Sequence, residues 1–431
     1  MKTSLSNADV ERLAAPVRAA NAAFVARYPG ERPDRQPVHT VYGGAHLFQA
    51  DTARKLGQLA TKALEDHAPD ATTFAQAFAL APALAEQVRP RVARKLATEA
   101  VEDLRIDFED GYGARPDAEE DGHAVTCARE VARGHAEQLL PPFFGIRIKP
   151  MTEELRARSV RTLDVFLTTL VAAGGGAIPP GFVVTLPKLQ IPEHGAALAD
   201  VLDALEPKLG LAPGAIRCEI MIEQTQAVLD ASGRVVMPAL VSALRGRCVA
   251  AHFGTYDYTA SCGITAAHQH MAHPACDFAK HCMQVSLGGT GVWLSDGATN
   301  VMPVGERAAV HAAWRLQASH VRRSLEGGFY QGWDLHPSQL VARYAAVYAF
   351  YLESLPAATA RLSTFVSKAA QATLLGDVFD DAATGQGLLN FFLRGLACGA
   401  VSEQETRATG LSLEELRTRS FVKILAGRRG S

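Results

Sequence analysis

Eight short apolar runs of β-type sequence alternate with longer helical stretches, and this alternation limits the fold more than any other feature of the chain. Strands joined by helical connections pair in parallel, so eight of them predict an α/β protein with a closed (β/α)₈ TIM barrel. An open doubly wound sheet is the alternative, disfavoured because no GxGxxG motif follows the first run. The runs cover residues 38–45, 104–110, 143–149, 182–188, 216–223, 248–254, 283–289 and 329–336.

Helical patterns surround these runs and divide the chain into three expected parts. An amphipathic helix over 6–29 can be capped by Ser6 or Asn7 and ended by Gly30. We therefore expect an N-terminal helix and linker at 1–37, the barrel at 38–340 and a C-terminal helical domain at 341–431. The connecting helices are predicted over 51–66, 72–99, 117–137, 153–172, 195–208 and 306–324, and the C-terminal ones over 338–354, 356–375, 385–398 and 411–425.

The composition is that of a folded protein with a sizeable core, since 48% of the 431 residues are apolar and 20% are charged. The formal net charge of −2 gives no attraction to nucleic acid or to an anionic membrane. The sequence has no run of ~18 apolar residues and no apolar signal core near its start. Seven cysteines without a CxxC pair indicate reduced thiols and a cytoplasmic protein.

Ionisable residues stand where most of the predicted strands end. The active site of such a barrel lies at the carboxyl ends of its strands, so these side chains are expected to meet in one mouth. Several acids facing two or three bases there would be costly without a cation and an anionic ligand. Carboxylate oxygens completed by water and substrate suit Mg²⁺, with Mn²⁺ as a second candidate. The strand-end residues include Asp107, Glu109, Asp110, Arg147, Lys188, Glu223 and Asp257.

Six motifs in a fixed order carry a family resemblance over roughly residues 38–340. DFEDG, IRIK, LPK, MIEQTQA, FGTYDYTASCG and GWDLHPSQ together resemble the superfamily of the citrate lyase β-subunit, the HpcH/HpaI aldolases, malyl-CoA lyase and malate synthase. The resemblance implies that Glu223 and Asp257 bind Mg²⁺. It also implies that Arg147 binds the carboxylate or oxo group of a 2-oxo acid. Glu109 and Asp110 would hold metal-bound waters, and Lys188 would balance the acids.

The C-terminal region resembles malate synthase more narrowly. Residues 378–384, VFDDAAT, look like the MEDAAT segment of that family, which implies that Asp381 deprotonates acetyl-CoA. The stretch LGGTGVWLSDG at 287–297 stands where malate synthases carry a Gly-Gly-containing loop at the seventh strand. The sixth-strand motif GTYDY departs from the GRWDY that is typical of malate synthases. The chain is therefore identified as a divergent malate synthase-like member, which leaves the acyl donor open.

These observations predict a Mg²⁺-dependent enzyme that forms or breaks a carbon–carbon bond beside a small 2-oxo acid such as glyoxylate, with an acyl-CoA as partner. Two alternatives remain open. One is a CoA-independent aldolase that cleaves a 4-hydroxy-2-oxo acid, and the other is a non-catalytic binding barrel. Relatives with this barrel are often multimers, so a homo-oligomer is also expected.

Other polar and aromatic residues have competing interpretations. His46 follows the first strand and could touch substrate or a phosphate of CoA, or it could cap the next helix. Gly254 and Thr255 are candidate substrate-binding residues at the end of the sixth strand. His268, His270 and His273 do not share one helix face, which disfavours a zinc site. His336 is predicted to shape a turn, and Phe329 and Trp333 are predicted to lie in the core.

Overall fold

The computed structural model of the protein describes residues 3–367, 373–375, 378–380, 382–421 and 423–424. Eight parallel strands pair in chain order, and β8 pairs back onto β1 to close a barrel. The predicted (β/α)₈ TIM barrel is thus confirmed, and the open sheet is wrong. The strands are β1 His39–Gly44, β2 Asp103–Asp107, β3 Phe143–Arg147, β4 Phe182–Leu186, β5 Arg217–Ile222, β6 Cys248–Phe253, β7 Trp293–Ala298 and β8 Gln331–Asp334.

Helices surround the barrel and continue beyond its last strand. The first begins at a capping box, because Ser6 and Asp9 exchange hydrogen bonds between side chain and backbone, and it ends at Arg27 before the predicted stop at Gly30. The helices are α1 Asn7–Arg27, α2 Thr52–His67, α3 Ala71–Phe78, α4 Pro82–Glu99, α5 Asp117–Ala136, α6 Arg156–Ala173, α7 Pro192–Lys208, α8 Met237–Ala243, α9 Thr255–Ser261, α10 Pro274–Leu287, α11 Arg307–Glu326, α12 Gln339–Ser367, α13 Ala382–Ala397, α14 Glu403–Thr406 and α15 Leu413–Arg417.

The inside of the barrel contains a layer of paired charges as well as apolar side chains. Arg105 donates from Nη2 to Asp103 (3.0 Å) and from Nε to Glu219 (2.9 Å), and all three side chains are buried. Thr40 donates to the same Asp103, and Gln331 donates to Thr40. Buried charges are tolerated when each has such partners. The layer therefore forms a floor beneath the carboxyl ends of the strands.

The prediction for the seventh strand was wrong. Residues 283–287 belong to α10, and β7 begins only at Trp293. The buried residues of α10 include Cys276, Ala279, Met283 and Leu287, which recur at helical spacing. The run MQVSL forms the last turns of helix α10. The actual strand, WLSDGA, contains polar residues, so its sequence does not follow the apolar pattern expected of a strand.

The helix predictions differ from the structure at several places. The stretch 72–99 is split at Ala79, whose φ of 53° is left-handed and ends α3. Conversely, α12 runs from Gln339 through Pro356 to Ser367 without the predicted break. A proline inside a helix costs about 3 kcal/mol. The long buried face of α12 offsets that cost, because most of its first half is buried. A short strand, β9 Thr373–Leu375, replaces the predicted helix end at 375 and pairs antiparallel with β10 Val378–Asp380. The predicted helix 411–425 is shorter as well, because α15 ends at Arg417.

The remaining expectations concern cysteines, membranes and domains. All seven cysteines are free, and five of them are buried, as expected for structural thiols. Within the described ranges, no helix has the length and apolar character needed to cross a bilayer. The division into parts at 37/38 and 340/341 stays a prediction.

Candidate functional site

A cleft of about 360 Å³ opens at the carboxyl ends of the barrel strands. It lies where active sites of this fold are built, because the loops that follow the strands converge there. Six of the predicted site residues line it: Asp110, Arg147, Glu223, Gly254, Thr255 and Asp257. The other lining residues are Tyr42, Asp107, Gly111, Tyr256, Ala298, Trp333 and Leu335.

Glu223 lies in the cleft directly after β5 and is 1% exposed. Its Oε1 accepts a hydrogen bond of 2.6 Å from the backbone N–H of Lys188, which follows β4. Only glycine fits beside it at position 254, since a Cβ there would lie 2.5 Å from Glu223 Cβ and 2.6 Å from Oε2. In the described part of the chain, no hydrogen bond reaches Oε2 of this carboxylate. One oxygen is therefore fixed by the backbone, and the other is left for a ligand.

The side chain of Lys188 contacts three of the carboxylates around the cleft. Its Nζ lies 2.5 Å from Glu109 Oε1, 2.9 Å from Asp110 Oδ2 and 3.6 Å from Asp257 Oδ1. Lys188 has a φ of 49°, a left-handed conformation that costs a residue with a side chain ~1–2 kcal/mol. Strain of this kind persists where the surroundings fix it, often at functional sites. The strained backbone presents its N–H to Glu223 while the side chain reaches three further carboxylates.

Asp257 enters the cleft from the first turn of α9, directly after β6. Its side chain is 37% exposed, so one face of the carboxylate is open to solvent. Glu223 and Asp257 thus stand at the ends of adjacent strands, one buried and one accessible. This arrangement provides two anionic oxygen donors on one side of the cleft.

Arg147 lies at the end of β3 and pairs with Asp107, its register partner across β2 and β3. The guanidinium donates from Nε to Asp107 Oδ1 at 2.7 Å and from Nη2 to Oδ2 at 2.5 Å. Its Nη1 lies 3.2 Å from Glu109 Oε2, and the ring of Tyr42 lies 4.8 Å from the guanidinium carbon. The bidentate pair holds Arg147 rigidly. Nη1 is the guanidinium nitrogen that lies outside the Asp107 pair, and it faces Glu109.

Asp107 also shapes the loop that carries the next two acids. Its Oδ1 accepts from the backbone N–H of Glu109 at 2.9 Å, and its Oδ2 accepts from that of Gly111 at 2.7 Å. A Cβ on Gly111 would lie 2.6 Å from Asp107 Oδ2, which explains the glycine. The DFEDG motif is therefore a turn organised by the carboxylate of Asp107, a role that the sequence alone does not predict.

The charges around the cleft do not balance. Five carboxylates (Asp107, Glu109, Asp110, Glu223 and Asp257) meet the two bases Arg147 and Lys188 in the described part of the chain. Burial raises the pKa of Glu223 to about 8, although Lys188 opposes the shift. Burial also raises the pKa of Glu109. The excess of negative charge is the environment that a divalent cation relieves.

The donor set fits Mg²⁺. Within the described ranges, no three His, Cys, Asp or Glu side chains are arranged to ligate one ion. A cation here would thus rely on Glu223 and Asp257, with water and substrate completing its shell. Mg²⁺ is bound in this way because it keeps several waters and takes only one or two carboxylates. The unbonded Oε2 of Glu223 is the observation that supports this fit.

Polar atoms without a partner mark the aromatic side of the cleft. Tyr42 and Trp333 stack with ring centroids 4.5 Å apart. In the described part of the chain, Tyr42 Oη, Trp333 Nε1 and Thr255 Oγ1 are buried without a hydrogen-bond partner. The prediction that Trp333 lies in the core was wrong, because it is only partly buried and lines the cleft. Phe329 is buried, as predicted.

The other predicted residues fall outside the cleft lining. His46 lies in the turn Ala45–Leu47, with its ring 5.8 Å from that of Tyr112, and burial lowers its pKa. His273 caps α10 by accepting from the Ala275 N–H. His336 shapes the turn after β8, where its Nδ1 accepts from the Ser338 N–H. Asp381 lies outside the described residues.

Known structures share this architecture. A citrate lyase from Burkholderia xenovorans LB400 superposes with a TM-score of 0.59 at 18% identity, covering 88% of this chain and 100% of that one. A malate synthase from Haloferax volcanii gives a TM-score of 0.50 at 13% identity, covering 92% of this chain and 98% of that one. At such identities the likeness shows a common fold.

One curated relative matches a shorter stretch. The bifunctional glyoxylate cycle protein of Caenorhabditis elegans is 37% identical over 89 residues, which are 21% of this chain and 8% of that protein. The chain thus matches only a small part of that relative's length. A family model described as "Domain of unknown function (DUF6986)" instead matches residues 17–424, nearly the whole chain. The protein therefore belongs to the DUF6986 family.

Proposed function

We propose that this protein is a Mg²⁺-dependent enzyme that forms or breaks a carbon–carbon bond beside a small 2-oxo acid, with an acyl-CoA as its second substrate. The observation that carries the proposal is the pair Glu223 and Asp257, which line one cleft with Arg147. Two carboxylates for a cation and one guanidinium for an anion form a site for a small chelating acid. The motif order and the names of the similar proteins, a citrate lyase and a malate synthase, agree with this chemistry.

Each side chain has a distinct task in the proposed reaction. Glu223 and Asp257 would hold Mg²⁺, which when bound would orient a 2-oxo acid and polarise its carbonyl. Arg147, held by Asp107, offers its Nη1 edge to the oxygen on which negative charge develops. Preorganisation matters here because a fixed donor needs no rearrangement during the reaction.

Lys188 and the aromatic wall complete the substrate site. Lys188 offsets the charge of Glu109 and Asp110, and so allows both acids to stay near the cation, where they would hold its waters. Tyr42 and Trp333 present a stacked apolar surface that limits the width of the cleft. A small acid is therefore favoured over a bulky one.

The acyl-CoA component rests on the resemblance of residues 378–384 to the malate synthase segment. Asp381 is the proposed base that removes a proton from the thioester methyl group. Without that base, the same cleft supports the CoA-independent aldolase, since both reactions use a bound 2-oxo acid.

The test is a reaction screen read by product mass. Small 2-oxo acids such as glyoxylate and pyruvate are incubated with Mg²⁺ and the protein, with and without acetyl-CoA. We expect a condensed product only when both substrates and Mg²⁺ are present. It should appear either as a CoA thioester or, after water hydrolyses the thioester, as the free acid together with CoA. Glu223→Gln should abolish the product, and Glu153→Gln, a change at an exposed site, should not. Cleavage of 4-hydroxy-2-oxo acids without CoA would favour the aldolase. If the protein shows no turnover and no detectable Mg²⁺ binding, the alternative of a non-catalytic binding barrel is favoured.

A further inference from the structure

Helix α1 is 21 residues long, and none of its residues is buried. It nevertheless carries large apolar side chains: Val10 is 48% exposed, Leu13 57%, Val17 57% and Phe24 61%. Most of the stability of a helix in a protein comes from packing of its apolar face, and Pro16 in the interior of α1 weakens this helix further. An exposed apolar stripe on a monomer indicates a surface that is covered by something else.

Five apolar residues of α1 follow the spacing of a helix–helix seam, and the exposed Val25 lies off this stripe. Val10, Leu13, Val17, Ala20 and Phe24 are separated by three or four residues in alternation. That spacing places all five on one face of the helix, as the a and d positions of a coiled coil do. Glu11 and Arg18 lie on a different face and pair with each other. The stripe therefore has the pattern of a surface that packs on another helix.

The charged residues beside the stripe favour a second copy of the chain as the partner. Asp9 and Arg27 are about five helical turns apart, so they lie on the same flank of α1 near its opposite ends. In an antiparallel pair of identical helices, the same flanks meet and each Asp9 faces an Arg27. In a parallel pair that flank would instead face the other flank of the partner helix, where Ala14 and Asn21 carry no charge. The five charged residues of α1 sum to only +1, which gives little attraction to an anionic membrane.

The base of α1 is fixed at the end of the barrel opposite the cleft. Gly30 donates its N–H to the Gly289 carbonyl at 2.9 Å, in the loop that leads into β7. Arg32 stacks on Trp293, the first residue of that strand, at 4.3 Å. A partner that binds α1 therefore leaves the carboxyl ends of the strands open.

We propose that α1 is a dimerisation helix: two copies of the chain pair their α1 helices antiparallel along the stripe Val10, Leu13, Val17 and Phe24. The two-fold axis passes near Val17, so that Val10 of one copy lies by Phe24 of the other. This assembly is independent of the chemistry in the cleft.

The first test is the mass of the protein in solution, measured by size exclusion with light scattering over a range of concentrations. We expect the parent to be a dimer. The double variant Leu13→Asp, Val17→Asp should raise the dissociation constant by about 10²-fold or more, because it buries unpaired charge. Ala15→Asp, Ala19→Asp places the same charges on the opposite face and should leave the dimer unchanged. A monomeric parent, or a dimer that the stripe variant does not weaken, would overturn the proposal.

The second test fixes the direction of pairing by disulfide formation in a Cys262→Ser background, which removes the exposed native thiol. A mixture of Val10→Cys and Phe24→Cys proteins should yield a cross-linked heterodimer under mild oxidation. Each protein alone should remain uncross-linked. Self-cross-linking of Val10→Cys alone would show a parallel pair and contradict the antiparallel arrangement, as would the absence of any cross-link in the mixture.

Discussion

The backbone N–H of Lys188 donates a 2.6 Å hydrogen bond to Oε1 of Glu223. This bond joins the ends of the neighbouring strands β4 and β5, and it uses one oxygen of the proposed cation ligand. Because the same Lys188 places its ammonium beside Glu109, Asp110 and Asp257, one residue both orients a ligand and competes with the cation for the others.

Lys188→Met should separate these two effects. Loss of a positive charge beside the carboxylates should tighten Mg²⁺ binding by about tenfold or more, since like charges a few ångströms apart repel. Activity should fall by about 10²-fold, because Glu109 and Asp110 lose the cation that holds them in place. Calorimetry with Mg²⁺ and steady-state kinetics measure the two quantities. Weaker Mg²⁺ binding in this variant would contradict the placement of the cation near Lys188.

Glu223→Gln and Asp257→Asn test the ligand pair directly. Each replaces an anionic oxygen donor with a neutral one, so Mg²⁺ affinity should fall by at least about 10²-fold and activity should be lost. Calorimetry gives the affinity, and thermal unfolding without Mg²⁺ serves as the control for folding. Parental affinity in either variant would move the cation elsewhere in the cleft.

The barrel could be predicted from sequence because seven of its strands are apolar runs that end in a polar or glycine residue. The seventh could not, since the buried Asp296 within β7 is balanced by Lys280 and accepts a hydrogen bond from Ser324, both of which are distant in the sequence. No local pattern reveals such partners. The helical residues 283–287, by contrast, are short and apolar enough to resemble a strand.

The charged residues of the site were predictable because they directly follow the apolar runs, and the ends of barrel strands meet at the active site. The aromatic wall was missed, although a signal for it exists. Thr40 and Gln331 hydrogen bond inside the barrel, and Tyr42 and Trp333 each lie two residues further along the same strands. The two-residue period of a strand therefore directs both rings inward, one layer nearer the mouth. A tryptophan in an apolar run predicts a core residue, and that prediction obscures the wall.

Mg²⁺ binding should depend on pH through Glu223. Burial raises the pKa of this carboxyl to about 8 in the absence of a cation. Below that pH a proton must leave before Mg²⁺ binds, so affinity should fall by up to about tenfold per pH unit as the pH drops from 8 to 6. Above about pH 8.5 affinity should level off. Calorimetry in buffers of different ionisation enthalpy counts the released proton, and affinity independent of pH would contradict this role.

Arg147→Lys should keep the charge but lose the planar fork that holds Asp107. The free energy of unfolding should fall by about 1–3 kcal/mol, because a buried carboxylate loses a partner. The catalytic rate should fall by about 10²-fold through loss of the preorganised donor. Urea unfolding and steady-state kinetics measure these effects. Arg161→Lys, at an exposed ion pair with Asp121, is the control and should change neither quantity appreciably.

Asp381→Asn distinguishes the two proposed reactions. Asp381 immediately precedes α13 in the sequence, and asparagine caps a helix as well as aspartate does, so folding and Mg²⁺ binding should survive. If Asp381 is the base, condensation with acetyl-CoA should fall by about 10²–10⁴-fold, the usual contribution of general base catalysis. Exchange of the acetyl-CoA methyl protons with deuterated water should fall equally, which a capping role alone would not cause. Asp380→Asn is the matched control and should retain parental exchange. Parental turnover in Asp381→Asn would contradict the acyl-CoA mechanism. It would favour the aldolase, whose proton transfers could pass through the waters held by Glu109 and Asp110.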